Sequence, residues 1–282
     1  MKTGVQWLIV GLIVLLAGNQ YYNQKLIQTQ ISNQDVKLQV LSDSYAEGQG
    51  GLEKKMTVAI ESYIATKKKD KVKSKYSSYS KAVKDVPKGK HIYGSLDASF
   101  TLIEFSDLEC PYCKRFHKTP KKIVDLSGGK MNWQWKHMPL SGHNPSALIQ
   151  AEASECVADI AGNKAFWVFL DQIFKETKLN GQGAGNLADI AGDIGVDEKA
   201  FTECVQSRRF NEQVVADTEL AKKYGITTTP SSLIVNNHTG EFLTINGAAP
   251  IGSIVTAIQE LKKAQETASA KSDSKDNDNE GS

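Results

Sequence analysis

The stretch from Phe100 to Phe116, FTLIEFSDLECPYCKRF, constrains the fold more than any other part of the chain. Its first half, Phe100–Phe105, is β-branched and aromatic and reads as a buried strand. Its second half reads as a helix with Pro111 in the first turn, where a missing N–H costs nothing. Cys110 and Cys113 stand at the junction. A sulfur at a helix start meets unpaired backbone N–H groups and the positive end of the helix dipole, and both favour its thiolate. Cys113, three residues on, shares a helix face with Cys110. One thiol is placed to attack a disulfide and the other to resolve the mixed disulfide. The competing reading is half of a zinc site, which needs two further ligands at suitable spacing. None of the five histidines forms an H-x-x-x-H pair, and the other cysteines stand alone. No metal and no bound cofactor is implied.

With these residues the chain resembles the DsbA-like branch of the thioredoxin superfamily, with a dipeptide, Pro111-Tyr112, more usual in glutaredoxins. The resemblance runs from about His91 to about Lys263. It also rests on Thr229-Pro230, where the family has a cis-proline loop, and on Lys136-His137-Met138-Pro139-Leu140. The turn Gly247-Ala248-Ala249-Pro250 before the last helix matches too. The resemblance implies an α/β thioredoxin fold with a helical insertion, and a substrate surface formed by Pro111, Tyr112, Thr229 and Pro230. It also puts an acid at Glu104, six residues before Cys110, with Lys136 of the next strand as its neighbour. Glu104 would then accept a proton from Cys113 or tune it electrostatically; an edge-exposed glutamate is the alternative. His117, one turn after Cys113, is a further candidate for tuning the thiolate. Glu109, beside Cys110, should oppose thiolate formation by its charge, and His143 reads as part of a helix start.

Trp7–Gly18 is uncharged and nearly all apolar, short for a membrane span of about 20 residues, and no A-x-A-like site closes it. Residues 1–22 therefore read as an uncleaved signal anchor, with a cleaved signal and secretion as the alternative. With the only nearby positive charges on the N-terminal stub, that stub is expected to stay inside and everything downstream to lie outside the cytoplasm, on the periplasmic side of the inner membrane. Residues 23–86 read as a helical stalk and lysine-rich linker. Ile27, Ile31, Leu38, Leu41 and Tyr45 follow a short heptad pattern with Gln34 in the missing slot. This is either a coiled coil that makes a homodimer through 24–47 or a helix lying on its own domain. Gly48-Gln49-Gly50-Gly51 is expected to break it, and Leu52, Met56, Ile60 and Ile64 to line a second helix. The lysines between Thr66 and Lys90 read as a solvated helix or linker; attraction to an anionic membrane or wall polymer is the other reading.

The catalytic domain is placed at 87–264, after Pro87-Lys88-Gly89. Strands are expected at Met131–His137, Ser231–Val235 and Glu241–Ile245, a helical insertion at about 143–222, and a last helix at Ile251–Lys263. Cys156 and Cys204 fall in the insertion and form a structural disulfide or remain two buried thiols. Residues 265–282 lack large apolar side chains and read as a disordered tail. A net charge of +2 without an Arg-rich, aromatic-interleaved patch gives no sign of nucleic-acid binding. The expected function is membrane-tethered thiol–disulfide exchange that forms or rearranges disulfides in exported proteins. Its partners would be cysteine-containing substrate proteins and a membrane redox protein. The alternative is an anchored peptide-binding or assembly factor with little turnover.

Overall fold

The computed structural model describes residues 2–46 and 49–277, without the side chains of 2–15, 17, 44–46, 49–52 and 269–277. The chain divides into two compact units, Met1–Asp70 and Lys71–Ser282. The first holds α1 (Lys2–Ala46) and most of α2 (Gln49–Ser77). Of the expected break at Gly48–Gly51, Gln49, Gly50 and Gly51 lie inside α2, and Gly48 lies outside the described residues. In a helix's first turn a glycine costs no more than its usual ~1 kcal/mol. The side chains of Ile27, Ile31 and Leu38 on α1, and of Met56, Ile60 and Ile64 on α2, are exposed. Tyr45 and Leu52 belong to the residues whose side chains lie outside the description. So do most of the Trp7–Gly18 run; among the described residues no helix is long and apolar enough to cross a membrane.

The second unit runs β1 (His91–Gly94), β2 (Phe100–Ser106), α3 (Pro111–Phe116), α4 (Lys118–Leu126) and β3 (Met131–His137). The inserted helices follow: α5 (Ser146–Ala161), α6 (Asn163–Glu176), α7 (Leu187–Gly192), α8 (Glu198–Ser207) and α9 (Asn211–Lys223). Then come β4 (Ser231–Asn236), β5 (Phe242–Asn246) and α10 (Ile251–Asn277). The sheet order is β1-β3-β2-β4-β5, with β2 and β3 parallel and the other neighbours antiparallel. β2 is central, so its alternating residues enter both layers. Phe100 and Leu102 join Trp133, Trp135, Ile234 and the apolar face of α6 in the larger core. Phe105 and Leu233 meet Met138, Ala221 and Ile226 in the smaller one. Gly94 ends β1 at φ +110°, and a Cβ there would lie 2.8 Å from Val124 Cγ1 and 2.9 Å from the Met131 carbonyl. Only glycine fits that meeting of β1, α4 and β3.

The ends of this unit carry structure beyond the expected catalytic domain. The compact unit begins at Lys71, well ahead of Pro87. Most lysines between Lys71 and Lys90 are solvated, but Tyr79 among them is 1% exposed and packs edge-on to Tyr93 at 5.5 Å and stacks on Trp167 at 6.1 Å. The expected linker thus contributes a core residue. At the other end, α10 continues past Lys263 through Asn277, so residues 265–277 are helical, not a disordered tail. The Gln265 side-chain oxygen accepts a bond from Asn236 Nδ2 at 2.9 Å. The extension Gln265–Asn277 contains neither Gly nor Pro, the two residues that most oppose a continuing helix.

Candidate active site

Strand β2 delivers the loop Asp107–Glu109 to the start of α3. Cys110 caps that helix in an extended conformation, and Pro111 follows in the first turn. The Cys110 thiol lies 3.5 Å from the Thr229 carbonyl, and the Thr229-Pro230 bond is cis. Pro230 in turn accepts the Gly247 N–H at 2.8 Å, which fixes this loop to the end of β5. Cys110 is expected from its position to be open to solvent; instead it is 4% exposed, while Tyr112 beside it is 56% exposed. The mouth of the site is therefore the Tyr112 ring, the Cys110 sulfur and the Thr229 backbone.

The two thiols differ in kind. The Cys110 pKa is lowered to about 6. The first cause is a hydrogen bond from the Cys113 thiol; the Thr229 side chain and bonds from the Cys113 and Tyr112 backbone N–H groups add to it, against desolvation. The helix start thus helps, as the sequence implies, but the partner sulfur helps more. Cys113 is fully buried, and burial pushes its thiol well above the ordinary range. Its sulfur accepts the Asp107 N–H at 3.4 Å. The arrangement is an activated outer thiol over a protonated inner one.

Glu104 is buried in the larger core layer beneath them, and neither carboxylate oxygen has a hydrogen-bond partner. The expected neighbour Lys136 is absent from it. In the β2–β3 register Glu104 pairs with Trp135, while Lys136 pairs with Phe105 and so points to the opposite face. Lys136 binds Asp217 of α9 at 2.6 Å instead. With no cation present, desolvation raises the Glu104 pKa to about 8. Nearby polar groups are Ser106, two residues on along the same face, and Ser232, directly across on β4. The Ser106, Ser232 and Trp133 polar atoms are likewise buried without partners. Ser106 favours the charged forms of both Glu104 and Cys113, and Trp133 that of Glu104, but burial outweighs them.

His117 does not reach the thiols with its ring. Nε2 pairs with Asp171 at 2.8 Å and lies 3.2 Å from the Tyr79 hydroxyl, and the ring packs against Trp133 and Phe174. It anchors the α3–α4 junction to α6. Glu109 also departs from expectation. Its buried carboxylate accepts bonds from Gln150 at 2.6 Å, Thr177 at 2.5 Å and the Gly183 N–H at 3.0 Å. It therefore holds the Thr177–Gly183 loop. Asp107, missed in the sequence, is the second hub. It accepts the Glu109 N–H at 2.7 Å, the Leu140 N–H at 2.9 Å and His143 Nδ1 at 2.7 Å. The one available signal was three acids within six residues around a strand end, more than a solvated loop requires.

Cys156 and Cys204 are joined in a disulfide that ties α5 to α8, whereas Cys110 and Cys113 are free. Both bonded cysteines are buried, at 1% and 5% exposure. Among the described residues no cluster of His, Cys, Asp and Glu could hold a metal ion.

The chain is similar to known proteins. The family model described as Thioredoxin matches residues 87–247. DsbA2 of Pseudomonas aeruginosa superposes with a TM-score of 0.56 at 33% identity, covering 63% of this chain and 97% of that one. Disulfide bond formation protein D of Bacillus subtilis is 28% identical over 153 residues, 51% of this chain and 67% of that protein. The Na(+)/H(+) antiporter NhaA 1 of Salinispora arenicola is 28% identical over 152 residues, 52% of this chain. The match spans only 22% of the antiporter's length.

Proposed function

The chain belongs to the thioredoxin family, in its DsbA-like branch, and from that premise we propose that it is a protein thiol–disulfide oxidoreductase acting through Cys110 and Cys113. The observation that carries this reading is the divergence of the two thiols, one lowered to about 6 and one held protonated a turn away. In the oxidising direction a substrate thiolate attacks Cys110 of the Cys110–Cys113 disulfide. A Cys110–substrate disulfide forms, and Cys113 leaves as a buried thiolate that takes up a proton. Glu104, neutral below about pH 8, is the buried acid able to supply it. A second substrate thiolate then attacks the substrate sulfur, forms the substrate disulfide and releases Cys110 as a thiolate. The reducing direction reverses each step, and Glu104 then accepts the Cys113 proton. Pro111, Tyr112, Thr229 and Pro230 form the surface where the substrate chain lies, with the Thr229 backbone open to strand-like pairing.

The chemistry suits cysteine-containing exported proteins, with electrons exchanged through a membrane redox partner. The apolar run in α1 supports a tether on the extracytoplasmic side, and the exposed Ile27, Ile31 and Leu38 support pairing of two copies. A chain that leaves membranes in carbonate would remove the tether, and a monomer by light scattering would remove the pairing. The redox reading itself is tested by turnover of a disulfide peptide. Cys110→Ser is expected to lose at least ~10³-fold of the rate, since no thiolate remains at the mouth. Retention of more than a tenth of the rate would refute it. A redox titration of the Cys110–Cys113 pair then sets the direction.

A further inference from the structure

Helices α3 and α4 bury Cys113, Phe116, His117, Pro120, Ile123 and Val124. These positions keep one helical repeat across the His117 junction, whose backbone stays right-handed helical. The opposite face is therefore continuous as well, and it carries Tyr112, Arg115, Lys118 and Lys122, all exposed. It starts at the mouth of the thiol site. The Arg115 guanidinium sits 4.8 Å from the centre of the Tyr112 ring. No acid occurs between Glu109 and Asp125. Glu109 faces inward to Gln150, Thr177 and Gly183, and Asp125 is engaged by Lys121, Lys81 and the Tyr93 hydroxyl. Among the described residues, Arg115, Lys118 and Lys122 have no ion pair. Three unneutralised cations thus stand in a row on one face, beginning beside the reactive sulfur.

We propose that this row is a docking surface for an acidic segment flanking the reactive cysteine of a substrate protein. The proposal rests on the oxidoreductase reading and adds a substrate preference to it. Ten residues of helix from Tyr112 to Lys122 span ~15 Å, the length of about four to five residues of extended chain. The acids are therefore sought within that distance of the substrate cysteine. Exposed charge pairs are individually weak, but an aligned set steers encounter and selects partners.

The test uses the full chain in its reduced form and disulfide-linked peptides of equal length. They differ only in whether the residues flanking the cysteine are Asp, Gln or Lys. At low ionic strength the exchange rate should fall in the order Asp, Gln, Lys, with about a tenfold span that shrinks to about twofold or less near ~1 M salt. The R115E/K118E/K122E variant should invert the order. K118E/K122E, which leaves the residues nearest the thiols intact, should flatten it. Each comparison is a ratio between peptides on one protein, so a general loss of activity does not imitate the effect. An unchanged order in both variants, or a wild-type order insensitive to salt, overturns the proposal. So does charge-blind exchange combined with triple-variant-sensitive sedimentation on phosphatidylglycerol vesicles, which would assign the row to lipid. If wild type fails to exchange even with uncharged hydroxyethyl disulfide, the oxidoreductase reading falls and this proposal with it. If it exchanges that reagent but ignores peptide charge, only this proposal falls.

Discussion

The second unit holds two cysteine pairs on opposite terms. Cys110 and Cys113 are neighbours in sequence at the end of a central strand, with an unpaired carboxylic acid beneath them and backbone carbonyl and N–H groups around the sulfurs. Cys156 and Cys204 are 48 positions apart and tie two inserted helices with both sulfurs buried. Both pairs are closed to bulk water, so burial alone does not separate a reactive pair from a structural one. What separates them is the polar support around each sulfur. The first pair has groups that stabilise a thiolate and a nearby acid that stores a proton. All four cysteines line the same large apolar core, so these polar groups are what the first pair adds to it.

That contrast can be broken most sharply from the structural side. Replacing Cys156 and Cys204 by serine together should cost ~4 kcal/mol, from the chain entropy released over a 48-residue separation. Peptide exchange at Cys110 should stay within a few-fold of wild type below the melting temperature. Loss of exchange in a still-folded variant would show that the two pairs are not independent.

The next effect concerns the stored proton. The folded-state pKa of Glu104, about 8, lies above the ~4.3 of an unfolded glutamate. Between those values the folded chain binds a proton that the unfolded chain has released, so this residue makes stability fall as pH rises. Glu104→Gln removes the titration. Relative to wild type its stability should grow by ~3 kcal/mol from pH 5 to pH 8, read from urea unfolding at both pH values. Parallel pH profiles for the two proteins would mean that the carboxyl is not held neutral.

The smallest effect probes the outer thiol. Cys113→Ala deletes the first cause of the low Cys110 pKa but leaves the Thr229 and backbone contacts. The alkylation midpoint of Cys110 should rise from about 6 by ~1 pH unit, whereas Cys113→Ser, which keeps a donor, should move it less. An unmoved midpoint in the alanine variant would transfer the activation wholly to the helix start.

The features legible in the sequence are those written into a few consecutive residues. Strand, Cys-Pro-Tyr-Cys and helix follow from Phe100–Phe116, and Thr229-Pro230 is a local signal of the same kind. Properties set by the third dimension were not legible. The partner of Glu104 depends on strand register, and one position of register exchanges Lys136 for Trp135. β1 has four residues and no alternation, too short a pattern to stand out from loop. Tyr79 lies in a lysine-rich run whose composition hides one buried ring. His117 has suitable spacing to support Cys113, but its ring turns to Asp171 and Tyr79. Asp107 and Glu109 read as loop acids because their bonding partners come from segments 33 to 74 positions away.

The sealed Cys156–Cys204 bond also has a consequence in electrons. Four sulfurs could carry four electrons, but two of them are held in the bond that ties α5 to α8, and only Cys110 and Cys113 are free. On the proposed oxidoreductase reading the molecule is then a two-electron carrier, and each encounter hands over one disulfide or none. Mild reduction should expose two titratable thiols per chain and denaturing reduction four. The flux through such a carrier is set by how often it meets its redox partner, not by how much sulfur it contains.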